Sequence, residues 1–178
     1  MDMRQDRGIV QVYTGNGKGK TSAAWGQALR AVGRGWRVAV VRFLKPNTSG
    51  EVIAAERFIP DIDIFGSTSP YDAAADQRNS PILREESRRN FETASDLISS
   101  GDYDLVVLDE LNVVLFYEFL NSGEVLPIIS GRPEHVDLVI TGRYAPDWLI
   151  GAADLVTEMA DLKHPSVEGV PARIGIEV

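Results

Sequence analysis

The chain has 178 residues and a formal net charge of −8, and its 44% hydrophobic and 25% charged content suits one globular domain with a sizeable core, residues 1–178. It has no cysteine and only two histidines, which excludes disulfides and thiolate metal centres and leaves little material for a zinc site or a Ser-His-Asp triad. The acidic balance argues against nucleic acid or anionic membrane as a partner, and without a long apolar run or signal-peptide pattern the expected location is the cytoplasm.

In chain order, a β-like run, Ile9 to Tyr13, feeds the stretch Thr14-Gly15-Asn16-Gly17-Lys18-Gly19-Lys20-Thr21-Ser22, and a helical stretch leaves it from Ser22 to Val32. Strand, glycine-rich turn and helix follow one another as in a phosphate-binding loop. Glycines at 15, 17 and 19 allow the backbone to curl its N–H groups around an anion, and the helix adds its positive amino end. In such a loop Lys20 lies along the phosphates and Thr21 offers its hydroxyl to Mg²⁺. The pattern departs from Gly-x-x-x-x-Gly-Lys-[Ser/Thr], because Thr14 stands at the first glycine position and Gly15 leaves three residues before Gly19. The loop is therefore tighter than that of a standard ATPase, and phosphoryl-transfer geometry does not follow from it.

Charge supports an anionic ligand there. No acidic residue occurs between Gly8 and Gly50, whereas Lys18, Lys20, Arg30, Arg34, Arg37, Arg42 and Lys45 all do. Arg30, Arg34 and Arg37 also read simply as solvated ends of helix and strand.

Arg37 to Leu44 reads as a second strand whose apolar centre suits coverage on both faces. A loop over 45–50, a short helix over 51–58 and a strand Ile62 to Phe65 follow. Residues 66–80 show no period and read as a substrate-side loop, or as a plain surface excursion. Pro81 starts a long helix to about Ser99, stopped by Gly101.

Tyr103 to Glu110 is an apolar strand ending in two carboxylates, Asp109 and Glu110. This is a Walker-B pattern, which places an acid beside the phosphate loop's Mg²⁺; a helix cap is the plainer reading. Helices over Asn112 to Leu120 and Glu124 to Ser130 precede a strand over Asp137 to Thr141, and Arg143 lies at its carboxyl end, where ligands bind in open α/β sheets. A helix Asp147 to Ala153, a strand Asp154 to Met159 and a closing strand Ala172 to Val178 complete the alternation. Trp25, Trp36 and Trp148 read as packing aromatics, and His164 as a structural histidine. The expected fold is a three-layer α/β domain with a mostly parallel sheet.

Together these motifs resemble the ATP:corrinoid adenosyltransferases, or cob(I)alamin adenosyltransferases, of the P-loop type. The matching segments are Thr14 to Thr21, Leu108-Asp109-Glu110-Leu111-Asn112, Ile140-Thr141-Gly142-Arg143 and Ala153 to Met159. They continue through Lys163-His164-Pro165, Gly169-Val170 and Gly175-Ile176-Glu177. The resemblance implies a RecA-like P-loop fold, a homodimer, and transfer of the 5′-deoxyadenosyl group of ATP to Co(I) of a corrinoid such as cobalamin, releasing triphosphate. It also implies an electron-donating reductase or flavoprotein as partner. Carried over by position, Thr14 to Ser22 with Arg143 bind the nucleotide, Thr21 and Glu110, with Asp109 beside them, hold Mg²⁺, and Lys20 and Glu110 act in catalysis.

The family's Gln-Phe-x-Lys-Gly segment is here Arg42-Phe43-Leu44-Lys45-Pro46, and its Phe-Thr-Trp segment falls where this chain reads Gly66-Ser67-Thr68-Ser69-Pro70-Tyr71-Asp72. Phe43, Lys45 and Tyr71 are thereby the corrinoid-side expectations. A P-loop NTPase or kinase, and a non-catalytic ATP- or corrinoid-binding relative, stay open as alternatives. Few residues precede the first strand, so any amino-terminal cover of the site is expected to be minimal.

Overall fold

The first strand, β1 (Val10–Thr14), is buried along its whole length in the computed structural model, as a run of apolar residues flanked on both faces must be. The structure describes residues 7–46, 48–69, 77–163, 169–171, 173, 175 and 176. After β1 the chain runs through α1 (Lys20–Val32), β2 (Val38–Pro46), α2 (Gly50–Phe58), β3 (Ile62–Ser67) and α3 (Pro81–Ser100). It continues through β4 (Leu105–Asp109), α4 (Leu111–Phe116), α5 (Ser122–Gly131), β5 (Asp137–Thr141), α6 (Asp147–Ala152) and β6 (Leu155–Glu158).

The six strands form one sheet in the order β3-β2-β4-β5-β1-β6, with every described pair parallel. Two apolar clusters lie on its two faces. One joins Ala24, Ala28 and Ala31 of α1 to Val38, Val40, Val107 and Val139. Alanines at four- and three-residue intervals make one helix face and bring α1 close to the sheet. The other cluster seats Phe91, Ala94 and Ile98 of α3, Val114 of α4, Ile129 of α5 and Leu149 of α6 against Val12, Val41, Val106 and Ile140. The result is a three-layer α/β fold of the P-loop type, with helices on both sides of a wholly parallel sheet. Trp25 and Trp36 pack against the first cluster and Trp148 against the second, as expected.

Several boundaries differ from the sequence reading. α1 starts at Lys20 rather than Ser22, because Gly19 with φ 118° completes the turn and the helix begins directly after it. β3 runs two residues further, to Ser67, because Asn90 Nδ2 donates to Ser67 Oγ at 2.9 Å and to Arg42 O at 3.2 Å and ties the two strand ends together. α4 stops at Phe116 instead of Leu120, and Glu118 turns the chain away with φ 56°. α5 begins at Ser122, where Asn121 and Glu124 form a reciprocal capping box. The closing strand expected over 172–178 falls partly outside the described residues, and Gly175 and Ile176 stand in a turn. Tyr71 and His164 also lie outside the described residues. Among those described, no helix is long and apolar enough to cross a membrane.

Candidate active site

At the carboxyl end of β1, Thr14 accepts a hydrogen bond from Met159 N through its carbonyl at 2.9 Å and from Ala145 N through its hydroxyl at 3.2 Å. The glycine-rich loop then turns against the chain that follows β6. Gly17 N donates to Met159 O at 2.7 Å. A Cβ on Gly15, where φ is 93°, would stand 2.4 Å from Met159 O, and one on Gly17 would stand 2.6 Å from Ala160 O. No side chain fits either position, so glycine is required by close backbone packing as well as by the turn. Asn16, Lys18 and Ser22 are exposed around this loop. Lys18 Nζ donates to Ile176 O at 3.0 Å, and so faces the last described residues.

Lys20 lies inside the curl. Its ammonium donates to Gly15 O and Gly17 O, each at 2.7 Å, and the residue is 8% exposed. Burial holds its pKa below the ordinary lysine value; Glu110 opposes that shift, and the cationic Arg143 and Lys45 add to it. Arg143 itself is exposed beyond the end of β5.

Asp109, the last residue of β4, is fully buried. Its Oδ1 accepts from Thr21 Oγ1 at 2.9 Å and from Thr141 Oγ1 at 2.7 Å. Its Oδ2 faces Lys45 Nζ at 3.5 Å and Arg42 Nε at 3.8 Å. Thr141 Oγ1 in turn accepts from Glu110 N at 3.0 Å, so one hydroxyl fixes both acids. Glu110 adopts φ 68°, a left-handed conformation uncommon for a residue with a side chain, and its Oε1 pairs with Lys45 Nζ at 2.9 Å. Gly142, with φ 130°, leaves room for Glu110, because a Cβ there would stand 3.2 Å from Glu110 Oε2 and 2.9 Å from Asn112 Cβ. Asn112 Nδ2 bonds Gly142 O at 2.9 Å and braces this turn.

Lys45 also donates to Thr21 Oγ1 at 3.0 Å. Burial lowers its pKa, but the Asp109 and Glu110 carboxylates outweigh that effect and hold it above the ordinary lysine value. A hydroxyl and two carboxylates thus gather around one cation. These hard oxygen donors fit Mg²⁺, which takes one or two protein ligands and completes its shell with phosphate and water. No group of three or more His, Cys, Asp or Glu side chains among the described residues offers a full protein cage.

The structure therefore brings Thr14, Gly15, Gly17, Gly19, Lys20, Thr21, Lys45, Asp109 and Glu110 to the carboxyl ends of β1, β2 and β4. Two of the corrinoid-side expectations lie among the described residues. Phe43 is 0% exposed within the core, and Lys45 is turned onto the carboxylates. Arg30, Arg34 and Arg37 are exposed, in keeping with solvated element ends. The sequence reading counted Arg42 among the basic charges around the glycine-rich loop, whereas it is buried against Asp109, and it gave Thr141 and Asn112 no individual role. Thr141 carries no signal in the sequence alone; the strand pairing reveals it, because Leu108 of β4 lies opposite Ile140 of β5 and one residue on the acid meets the threonine.

A model of the family described as ATP:corrinoid adenosyltransferase BtuR/CobO/CobP matches residues 6–178. A corrinoid adenosyltransferase of Pseudomonas aeruginosa is 38% identical over 175 residues, covering 98% of this chain and 85% of that protein. One from Escherichia coli is 36% identical over 177 residues, covering 98% and 87%. The corrinoid adenosyltransferase CobA of Salmonella typhimurium is 35% identical over 178 residues, again covering 98% and 87%.

Proposed function

The chain belongs to the ATP:corrinoid adenosyltransferase family, a family of transferases, and from that premise we propose that it moves the 5′-deoxyadenosyl group of MgATP onto Co(I) of a reduced corrinoid, with triphosphate as the other product. In this reaction the electron pair of Co(I) attacks C5′. The cobalt–carbon bond forms, the C5′–O5′ bond breaks, and the triphosphate leaves with the bonding electrons.

The observation that carries the reading is the charge pattern of the site. It gathers the Lys20 ammonium, a tight loop of backbone amides, a threonine hydroxyl and two carboxylates. Among the described residues His135 bonds Gly101 O at the other end of the sheet, where β4 begins, and so offers the site no base. A reaction whose nucleophile is a reduced metal in the substrate needs none. What it needs is alignment of C5′ and stabilisation of a departing polyanion.

Thr14 to Ser22 and Arg143 are the nucleotide-binding residues in this reading. Lys20 neutralises charge on the triphosphate as it departs. Thr21 and Glu110, with Asp109 behind them, hold Mg²⁺, which supplies further positive charge to the leaving group when bound. Thr141 keeps both acids oriented. Binding energy spent equally on ATP and on the transition state gives no acceleration, so the contacts that matter are those that strengthen as negative charge builds on O5′. The same reading carries a homodimer, a cytoplasmic location and a reductase or flavoprotein that delivers Co(I).

The test supplies MgATP and chemically reduced cob(I)alamin and follows both products. Adenosylcobalamin and triphosphate are expected in equal amounts. ADP and phosphate without a cobalt–carbon bond would mark an NTPase or kinase, and ATP binding without turnover a non-catalytic relative.

A further inference from the structure

β2 keeps a regular parallel register with β4 up to Arg42, opposite Asp109, and then breaks, with a register shift against β3 between Arg42 and Pro46. Within the break Leu44 adopts φ 56° while 1% exposed. A bulky residue held left-handed in a buried strand is strained, and such strain persists where the surroundings impose it. The kink delivers Lys45 to Thr21 Oγ1 at 3.0 Å, Glu110 Oε1 at 2.9 Å and Asp109 Oδ2 at 3.5 Å. An ammonium has three N–H donors, and here they meet the three side chains assigned above to Mg²⁺.

Asp109 has a second cation, Arg42, but the two are held differently. The Arg42 side chain is 1% exposed and is anchored to Pro46 O at 3.1 Å and to Glu51 at 3.5 Å, so it is fixed. The Lys45 side chain is 30% exposed and sits on a flexible stem, so it can leave.

We propose that Lys45 is a placeholder for the metal: in the nucleotide-free protein its ammonium occupies the cation position among Thr21, Asp109 and Glu110, and it is displaced when Mg²⁺ arrives with the nucleotide. This rests on the reading of those residues as the Mg²⁺ site. Two consequences follow from charge alone. The acids are neutralised before substrate binds, so the site does not spring apart. Free Mg²⁺ is also kept out, because it must displace a unit positive charge without help from phosphate.

The test titrates Mn²⁺, followed by electron paramagnetic resonance, into nucleotide-free wild type, Lys45→Gln and Lys45→Arg. Lys45→Gln is expected to bind Mn²⁺ at least about tenfold more tightly than wild type, since a unit charge a few ångströms away is worth more than that factor even when well screened. Lys45→Arg retains the charge and gains nothing. Among the three proteins the melting temperature should be lowest for Lys45→Gln without metal, and Mn²⁺ should restore it. A merely structural ion pair would lose stability on substitution and gain no metal, so equal Mn²⁺ affinity in wild type and Lys45→Gln overturns the proposal. Should Lys45→Gln fail to fold with and without Mn²⁺, Lys45→Met replaces it with the same expected gain. Glu110→Gln separates the two readings. If it leaves the Mg²⁺ dependence of ATP binding untouched, the metal site itself is wrong. If it weakens that dependence while Lys45→Gln gains no Mn²⁺, only the placeholder role is.

Discussion

Lys20 has an almost buried ammonium whose hydrogen-bond partners among the described residues are two carbonyls of its own loop, Gly15 O and Gly17 O. Those bonds shape the cradle and, under the proposed function, hold a charge ready for phosphate. Lys20→Ala removes one charge-assisted contact, worth about 1.5–3 kcal/mol, so ATP binding is expected to weaken by about 10- to 100-fold in calorimetry. A variant with native circular dichroism and unchanged affinity would count against the site. At this scale the sequence is legible where chemistry and local spacing coincide: glycines, lysines and the threonine lie within one short stretch. The bracing by Thr141 and Asn112, and the pairing of Arg42 with Asp109, escape because they depend on which strands lie side by side. A threonine at a strand end is unremarkable until Asp109 is known to face it across β4 and β5.

Among the elements, α3 does more than cover the sheet. Its Glu86 is 5% exposed, accepts from Thr68 Oγ1 at 2.8 Å and Ser69 N at 3.3 Å, and so pins the start of the segment that follows β3. Burial alone would raise the pKa of Glu86, but the bonds from Thr68 and Ser69 outweigh it and hold the carboxyl below the usual glutamate range. A lowered folded pKa means stability that is fully present above the ordinary glutamate range and is lost as pH falls through the lowered value. Glu86→Gln is therefore expected to cost about 1–2 kcal/mol in denaturant unfolding at pH 7, and the gap to wild type should shrink as pH falls below the ordinary glutamate range. A gap independent of pH would assign the effect to shape rather than charge. Most elements were readable from periodicity; some misplaced ends are set locally, by Gly19 for α1 and by the Asn121–Glu124 box for α5, and others by distant contacts. β3 gains Ser67 through a side chain of α3, and α4 is cut short at Glu118, whose carbonyl accepts from Arg84 of α3 at 2.9 Å.

Across the whole molecule, alternating strands and helices foretold a parallel α/β sheet, and it is parallel throughout the described pairs. The order β3-β2-β4-β5-β1-β6 was not legible, because it is settled by pairings between segments more than a hundred residues apart, such as Val10 with Leu138 and Val12 with Val156. That order puts the glycine-rich loop beside β6, which among the described strands is outermost, has all four residues exposed and pairs with β1 alone. Nucleotide binding is expected to slow amide hydrogen exchange at Gly17 and Met159, whose N–H groups join the loop to the chain after β6. Unaltered exchange at both amides in saturating MgATP would argue that the ligand sits elsewhere.

The glycines packed against Met159 and Ala160 therefore have a mechanical meaning. The loop leans on the selvage of the sheet, and margins open more readily than central strands. Under the proposed function, whatever steadies that margin, whether a neighbouring molecule or the chain's own tail, would tune the grip on triphosphate without touching it.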